Sequence, residues 1–392
     1  MNANTARITA SSFLAYFAMS GMLSQAGLVT RAMADHFDRP LTDVTALFSF
    51  YGTGILIGSA IAVAILDRLR TAQVVRATTA GFAAALVLLW WTDSWIGFRW
   101  WLAAAGVLAG IGLSAAAFVI TATYAPRWRA SMLIATDLCF SFAGVFMSLA
   151  VAALLAAGAL WSSGYLLVAA AAVLNLALAL GSRFPDPPAI TQHARPTLPI
   201  VVWLCGIGLL GYTFAQMTLM IWLPSHLVDA LGADLSAGGA AIGSYWTGMA
   251  IGQAAVFFLV LVLPLRLTLG LLLVASLALT LALPTLTDAG TVTALVFALG
   301  IANSGQLKLI ISWASLAMSD PPPRLLSVLL LCATTGTAAS PALSAWIVEF
   351  GGTGAALVAA ACGNGLLILM VVAAMLRQRR PAPIGVAAAT TP

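Results

Sequence analysis

Apolar runs of about twenty residues follow one another along almost the whole chain, separated by short clusters of arginine, aspartate, proline and glycine. Twelve such stretches can be marked, at approximately 9–31, 43–66, 74–92, 101–123, 131–157, 163–182, 199–225, 237–262, 267–285, 292–317, 326–348 and 354–376. A spanning helix needs ~20 mostly apolar residues, so each stretch predicts one transmembrane helix. Strands of a membrane barrel would alternate polar and apolar positions over ~10 residues, and that pattern is missing. The first stretch mimics a cleaved signal peptide, with Arg7 ahead of it and "AMAD" at 32–35 behind it. It has a counterpart in the second half, so it is read as a retained helix.

The longest interruption is "RFPDPPAITQHARPTLP" (183–199), rich in proline and polar residues. It divides the chain into a bundle of six helices over 1–182, a linker over 183–198 and a second bundle of six over 199–376. The tail, 377–392, follows a basic anchor and is expected to be disordered.

The two halves resemble each other. "FYGTGILIGSA" (50–60) matches "SYWTGMAIGQA" (244–254), aligning Tyr51 with Tyr245, Thr53 with Thr247, Gly54 with Gly248 and Gly58 with Gly252. "GIGLSAAAFVITA" (110–122) pairs with "GIANSGQLKLIIS" (300–312), and "LCFSFAG" (138–144) with "LCATTG" (331–336). Three matches in the same order indicate a duplicated six-helix unit, a parallel repeat about an axis along the membrane normal. The shared glycines have a packing reason, since small residues let membrane helices approach closely.

Composition agrees with the pattern: of 392 residues, 62% are hydrophobic and only 7% charged, against ~25% charged in soluble domains. The net charge of +5 falls in clusters between helices, which reads as topology rather than nucleic-acid binding. With the N-terminus inside, thirteen arginines fall on the inner side and only Arg31, Arg39 and Arg99 outside. The positive-inside rule then makes both termini cytoplasmic. Cys139, Cys205, Cys332 and Cys362 lie in separate apolar stretches without metal-ligand spacing, so neither a metal nor a disulfide is expected. The tryptophans around 90–101 predict an interfacial belt, and His36, His193 and His226 are read at loops or helix ends.

Two ionisable residues fall well inside predicted helices. Asp137 is in helix 5, and Lys308, the only lysine of the chain, is in helix 10. Such a charge at mid-bilayer costs ~2.5–3.5 kcal/mol on insertion scales, which argues against a lipid-facing position. On a continuous helix Asp137 shares a stripe with Leu133, Ser141, Gly144 and Ser148, and Lys308 one with Ser304, Ser312 and Ser315. Depths of ~9 and ~14 Å from the inner ends would let the two meet between the bundles. Three readings stand side by side: a functional pair, a permanent structural salt bridge, and a lysine snorkelling to the interface. The repeat aligns Lys308 with Phe118 and Asp137 with Leu330, so both charges break the symmetry of the halves.

Further cavity-lining candidates are Gln25, Tyr51, Ser141, Gln216, Tyr245 and Ser304. The amides of Gln25 and Gln216 could equally bridge helices. Asn303 and Gln306 are read as pointing away from Lys308.

"FVITATYAPRWRASMLIATDLCFSFAG" (118–144) and "LLCATTGTAASPALSAWIVEFGG" (330–352), with the helix count, central linker and repeat, resemble the major facilitator superfamily, and within it the TsgA-like branch. The resemblance implies an all-α integral membrane protein of two pseudo-symmetric six-helix bundles that rock about a central cavity. It also implies an inner gate in the loop between helices 2 and 3, usually G-x-x-x-D-R-x-G-R-[KR]. Here "VAILDRLRTAQ" keeps Asp67 and Arg68 but loses the glycines. The expected function is secondary active transport of a small solute across a bacterial inner membrane, proton-coupled through Asp137 and Lys308 in symport, by a monomer without cofactors. The alternative is proton-linked efflux of an amphiphilic toxicant, although helix 5 carries no proline-rich antiporter signature. A membrane-embedded enzyme would need a nucleophile, metal site or acid–base cluster near an interface, and the chain offers none.

Overall fold

The computed structural model describes residues 2–66, 68–185, 198–315, 317–318 and 323–378. The chain runs α1 (Ala3–Phe37), α2 (Leu41–Ile65), α3 (Thr71–Trp91), α4 (Trp95–Thr123), α5 (Pro126–Ala156) and α6 (Ser163–Leu180) in its first half. The second half holds α7 (Ile200–Asp229), α8 (Leu235–Val262), α9 (Leu265–Ala282), α10 (Ala289–Asn303), α11 (Gln306–Ser315) and α12 (Pro323–Gln378). Among the described residues ten helices are long and apolar enough to cross a membrane, with α10 and α11 forming one span. The 28-residue α8, which has no charged side chain, adds another. So does α12, whose 56 residues break into two arms at Gly352 (φ 69°). Twelve spans result.

Several ends lie beyond the sequence estimate. At α1, Asn2 Oδ1 accepts from the Thr5 amide at 2.7 Å, a side-chain cap that starts the helix at Ala3. The same helix continues to Phe37 and stops at Asp38 in the left-handed region, so Arg31 is a helical residue. Helix α5 begins early, with Pro126 at its first position, where a missing N–H costs nothing. His226 is buried inside α7 and contacts Thr353, just past the Gly352 break, through Nδ1. Residues 186–197, most of the expected linker, and 379–392, nearly all of the tail, lie outside the described residues, with His193 among them.

Helices α1 to α6 pack as one bundle and α7 to α12 as another. One face of the molecule gathers the N-terminus, the end of α6 and the end of α12. There Arg7 Nη1 donates to the Gly181 carbonyl at 2.6 Å and Arg76 Nε to the Ala179 carbonyl at 3.0 Å. Both cations sit on the carbonyl end of α6, where the helix dipole favours them. This terminal face is opposed by a far face that carries the α1–α2 and α7–α8 connections.

The halves do repeat, but one turn away from the alignment read off the sequence. The α2–α4 contact places Gly106 against the Tyr51 carbonyl, and the α8–α10 contact places Gly300 against the Tyr245 carbonyl. Gly300 therefore takes the place of Gly106, not Gly110, and Lys308 corresponds to Ser114 rather than Phe118. The glycines at 106 and 110 are four apart and share one helix face, so either alignment satisfied the pattern. The sister position remains uncharged.

The two bundles meet through α1–α7, α2–α12 and α5–α8. A Cβ added at Gly27 of α1 would lie 2.5 Å from the Ile221 carbonyl of α7, and one at Gly52 of α2 would lie 2.5 Å from Ala338 Cα of α12. Both contacts fall in the far half of the spans. There Met217, Ile221, Trp222 and Ala345 of the second bundle join a core built from the first. In the terminal half the cores separate: Ala62, Val74, Val75, Ile111, Ala115 and Ala179 belong to the first bundle alone. A second core there, with Leu209, Ile310, Trp313 and Leu329, belongs to the second bundle alone.

Candidate functional site

Between these separate cores lies one ion pair. Lys308 Nζ is 3.2 Å from Asp137 Oδ2, joining α11 of the second bundle to α5 of the first. The side chains are 42% and 26% exposed, so the pair is neither sealed nor on the surface. Among the described residues it is the only ion pair between the bundles in the terminal half. The Arg31–Asp229 pair links α1 to α7 on the far face, and His36–Asp93, at 3.4 Å, stays within the first bundle.

The position of Lys308 follows from a break in its span. Ser304 is extended (φ −62°, ψ 137°) and Gly305 adopts φ 70°, a region that glycine enters without a Cβ clash. Helix α10 therefore ends at Asn303 and α11 starts afresh at Gln306, putting Lys308 in its first turn. Carbonyls freed by such a break inside a membrane need partners, and the structure supplies them. Tyr212 donates to the Asn303 carbonyl at 3.1 Å, and Gln306 Nε2 donates to the Ala302 carbonyl at 2.8 Å and the Leu272 carbonyl at 3.3 Å. The Asn303 side chain accepts from Ser276 at 2.6 Å and donates to the Tyr245 hydroxyl at 3.0 Å, which also accepts from Gln216 Nε2 at 3.1 Å. A polar network thus holds the break from behind while Lys308 faces the cleft.

This geometry sorts the sequence candidates. Asp137 and Lys308 come together. Gln216 and Tyr245 belong to the network beside them, Gln216 being the half-buried member. Asn303 and Gln306 are buried in the same network, turned away from the cleft. Ser304 does not share a face with Lys308: the break at Gly305 separates them, and Ser304 is buried against Gly252 with its hydroxyl donating to the Ile301 carbonyl. Gln25 is buried inside the first bundle against Gly164 of α6, its Nε2 reaching Met22 Sδ at 3.5 Å. Tyr51 turns its carbonyl to Gly106 in the α2–α4 contact and lines a small cavity between the bundles with Met22, Met217, Thr337 and Pro341, and its buried hydroxyl has no partner among the described residues. Ser141 is likewise buried and unpartnered. Arg68 is exposed in the α2–α3 connection, and Asp67 lies outside the described residues.

Four neighbours of the pair escaped the sequence reading. Tyr16 of α1 is within electrostatic reach of both charges and in side-chain hydrogen-bond contact with Thr136. Tyr212 of α7 is within reach of Asp137. One turn beyond Asp137, Phe140 meets Trp246 of α8 edge-on, ring centroids 5.4 Å apart, and Trp246 in turn packs on Gly144. This aromatic contact joins α5 to α8 on the far side of the pair. A tryptophan in mid-helix, far from either interface, is the one signal that set Trp246 apart.

Two six-helix bundles sharing a core in one half and parted in the other, with a charge pair in the cleft between them, define a membrane transport protein. The sequence profile of the Major Facilitator Superfamily matches residues 8–327, and the chain belongs to that family. It is an integral membrane transporter, not an enzyme. Protein TsgA of Escherichia coli O9:H4 (strain HS) is 29% identical over 373 residues, covering 93% of each chain, as is Protein TsgA of Shigella sonnei (strain Ss046). Among solved structures, the D-xylose-proton symporter superposes with a TM-score of 0.73 at 13% identity, covering 96% of this chain and 97% of that one. A bacterial homolog of the human lysosomal transporter Spinster, in its inward-facing and occupied conformation, gives 0.72 at 15% identity, covering 98% and 100%. The nucleoside transporter NupG gives 0.68 at 15% identity, covering 97% and 100%. At such identities these structures speak for the fold.

Proposed function

We propose that this protein moves a small solute across a bacterial inner membrane by alternating access, coupled to protons, with Asp137 and Lys308 as the binding and coupling site. The observation that carries the reading is the 3.2 Å ion pair spanning two bundles that otherwise keep separate cores at that level. At 4 Å and an effective dielectric of ~20, such a pair gains ~4 kcal/mol before desolvation, enough to matter yet reversible. Protonating Asp137 releases Lys308, and the bundles become free to rearrange about the cleft. In this reading 1–182 and 199–376 are the two moving bundles, 183–198 links them, Arg68 belongs to the inner gate loop, and the unit is a monomer. The arginine distribution puts both termini in the cytoplasm, which makes the parted half the inner one. The inward-facing Spinster homolog supports that assignment, and the D-xylose-proton symporter supports coupling to protons.

A thermal-shift screen of purified protein against sugars, organic acids, amino acids and oxyanions, repeated with Lys308→Ala, tests the site. Stabilisation by one solute in the wild type and its loss in the variant is the expected result. A solute that stabilises both equally removes Lys308 from the site. The aromatic contact of Phe140 with Trp246 beside the pair favours, as a second reading, efflux of an amphiphilic toxicant. Susceptibility of deletion and overexpression strains separates export from uptake.

A further inference from the structure

The charge arithmetic of the cleft narrows the solute. An ammonium offers three donors, and among the described residues Lys308 has one polar partner, Asp137. With 42% of its side chain exposed, its remaining donors open into the cleft between the bundles. Among the described residues no second cation stands beside it: the titratable groups within electrostatic reach of the pair are Tyr16 from α1 and Tyr212 from α7, with Tyr245 of α8 behind. Phenols with an ordinary value near 10 are neutral at physiological pH. The neighbouring amides and hydroxyls of Gln216, Tyr245, Asn303 and Ser276 are bonded to one another, which leaves few for a sugar to share. On the far side of the pair the half-buried Phe140 and the buried Trp246 meet edge-on.

We infer that the solute is an organic monoanion, a carboxylate with a flat apolar body, which replaces the Asp137 carboxylate on Lys308 and lies against the Phe140–Trp246 rings. This rests on the reading of the pair as the solute and coupling site. The exchange fixes the stoichiometry. The empty site holds one positive and one negative charge, and a bound carboxylate adds a second negative charge. Asp137, the only carboxylate facing Lys308 among the described residues, restores neutrality by taking one proton on its freed oxygen. One anion and one proton enter together, no net charge moves with them, and nothing is oxidised or reduced. A dianion would need a second cation, and a neutral isostere would leave Lys308 with Asp137.

The test is isothermal titration of the purified protein with benzoate, benzamide and phenylphosphonate between pH 6 and 8. Benzoate is expected to bind, with affinity rising tenfold for each unit of falling pH as one proton is taken up per anion. Benzamide, and phenylphosphonate at pH 8 where it is chiefly a dianion, are expected to bind at least tenfold more weakly than benzoate. In Asp137→Asn position 137 has no carboxylate left to protonate, so benzoate is expected to bind Lys308 without pH dependence. In Lys308→Met it is expected not to bind. Asp137→Asn/Lys308→Met, which leaves no orphaned charge, serves as the folded control and is also expected not to bind. Benzamide binding as tightly as benzoate, or no benzoate binding by the wild type, overturns the anion while leaving the pair free to serve another solute. Benzoate binding that survives in the folded double variant overturns both this inference and the assignment of the site.

Discussion

The far and terminal halves of this transporter hold the same two bundles together by different physics. In the far half, glycines bring backbones into contact, as Gly27 does against Ile221 and Gly52 against Ala338, and one apolar core crosses the boundary. In the terminal half each bundle keeps its own core, and among the described residues one partly exposed ion pair spans the gap. Close packing is intolerant of added volume, whereas an ion pair responds to protons and to competing charges. Under the proposed function, closure belongs to the first region and coupling to the second.

The largest expected effect comes from spoiling the packed half. Gly27→Leu pushes a side chain into the Met220 and Ile221 carbonyls, backbone atoms that cannot step aside. Overpacking typically costs ~1–3 kcal/mol, here charged to one conformation only. Transport is expected to fall more than tenfold, and a cysteine placed at Ser49, whose hydroxyl accepts from the Ala342 amide of the other bundle at 2.9 Å, to become open to labelling. Unchanged transport and a protected cysteine would mean that the far half opens by another route.

The ion pair comes next. Removing one partner of a buried pair costs ~3–5 kcal/mol; because Lys308 is 42% exposed, solvent screening reduces the expected loss for Lys308→Met to ~1–3 kcal/mol. Asp137→Asn/Lys308→Met should recover most of it in thermal denaturation, and a double variant no more stable than the single would show that the two residues are not coupled. Smaller still is the far-face pair. Arg31→Ala should cost ~0.2–1 kcal/mol, the usual range for partly exposed pairs, and Arg31→Asp/Asp229→Arg should restore it. A swap weaker than either single change would argue against direct pairing.

The smallest effect lies outside the membrane, at the cap of α10. Asp288 Oδ2 accepts from the Thr291 amide at 2.7 Å and its hydroxyl at 2.8 Å, and these bonds hold the carboxyl below its ordinary value of 3.8. A depressed folded value means the contribution is complete above 3.8 and fades as pH falls through the lower folded value. Asp288→Ala should therefore lower Tm slightly at pH 7 and not at all once both states are protonated. A difference that persists in strong acid would assign the effect to something other than the carboxylate.

Much of the fold could be read from the chain because the bilayer imposes a single rule, ~20 apolar residues per crossing, and the chain obeys it twelve times. The central pair was legible for the same reason: a charge stands out where charges are expensive. What escaped notice depended on local geometry. The Ser304–Gly305 dipeptide carried a turn signal, yet the surrounding apolar run concealed the break, and with it the burial of Ser304. A one-turn slip of α4 against α10 keeps the same face, so Gly106 and Gly110 were interchangeable until the Tyr51 carbonyl chose between them. Gln25 and Ser141 were polar residues in apolar helices, and no periodicity separates a residue facing a neighbouring helix from one facing a cleft. Tyr16 drew no attention because an aromatic in an apolar helix is ordinary; its meaning comes from Asp137 and Lys308 beside it.

The most direct test of coupling compares two modes of transport in proteoliposomes, for wild type and Asp137→Asn, with a solute identified by binding. Solute exchange at equal pH needs binding and rearrangement alone, whereas accumulation against a gradient needs a proton to be carried. Asp137→Asn is expected to retain exchange and to lose accumulation driven by an imposed pH gradient. Full pH-driven accumulation by Asp137→Asn would contradict the central role given to the pair.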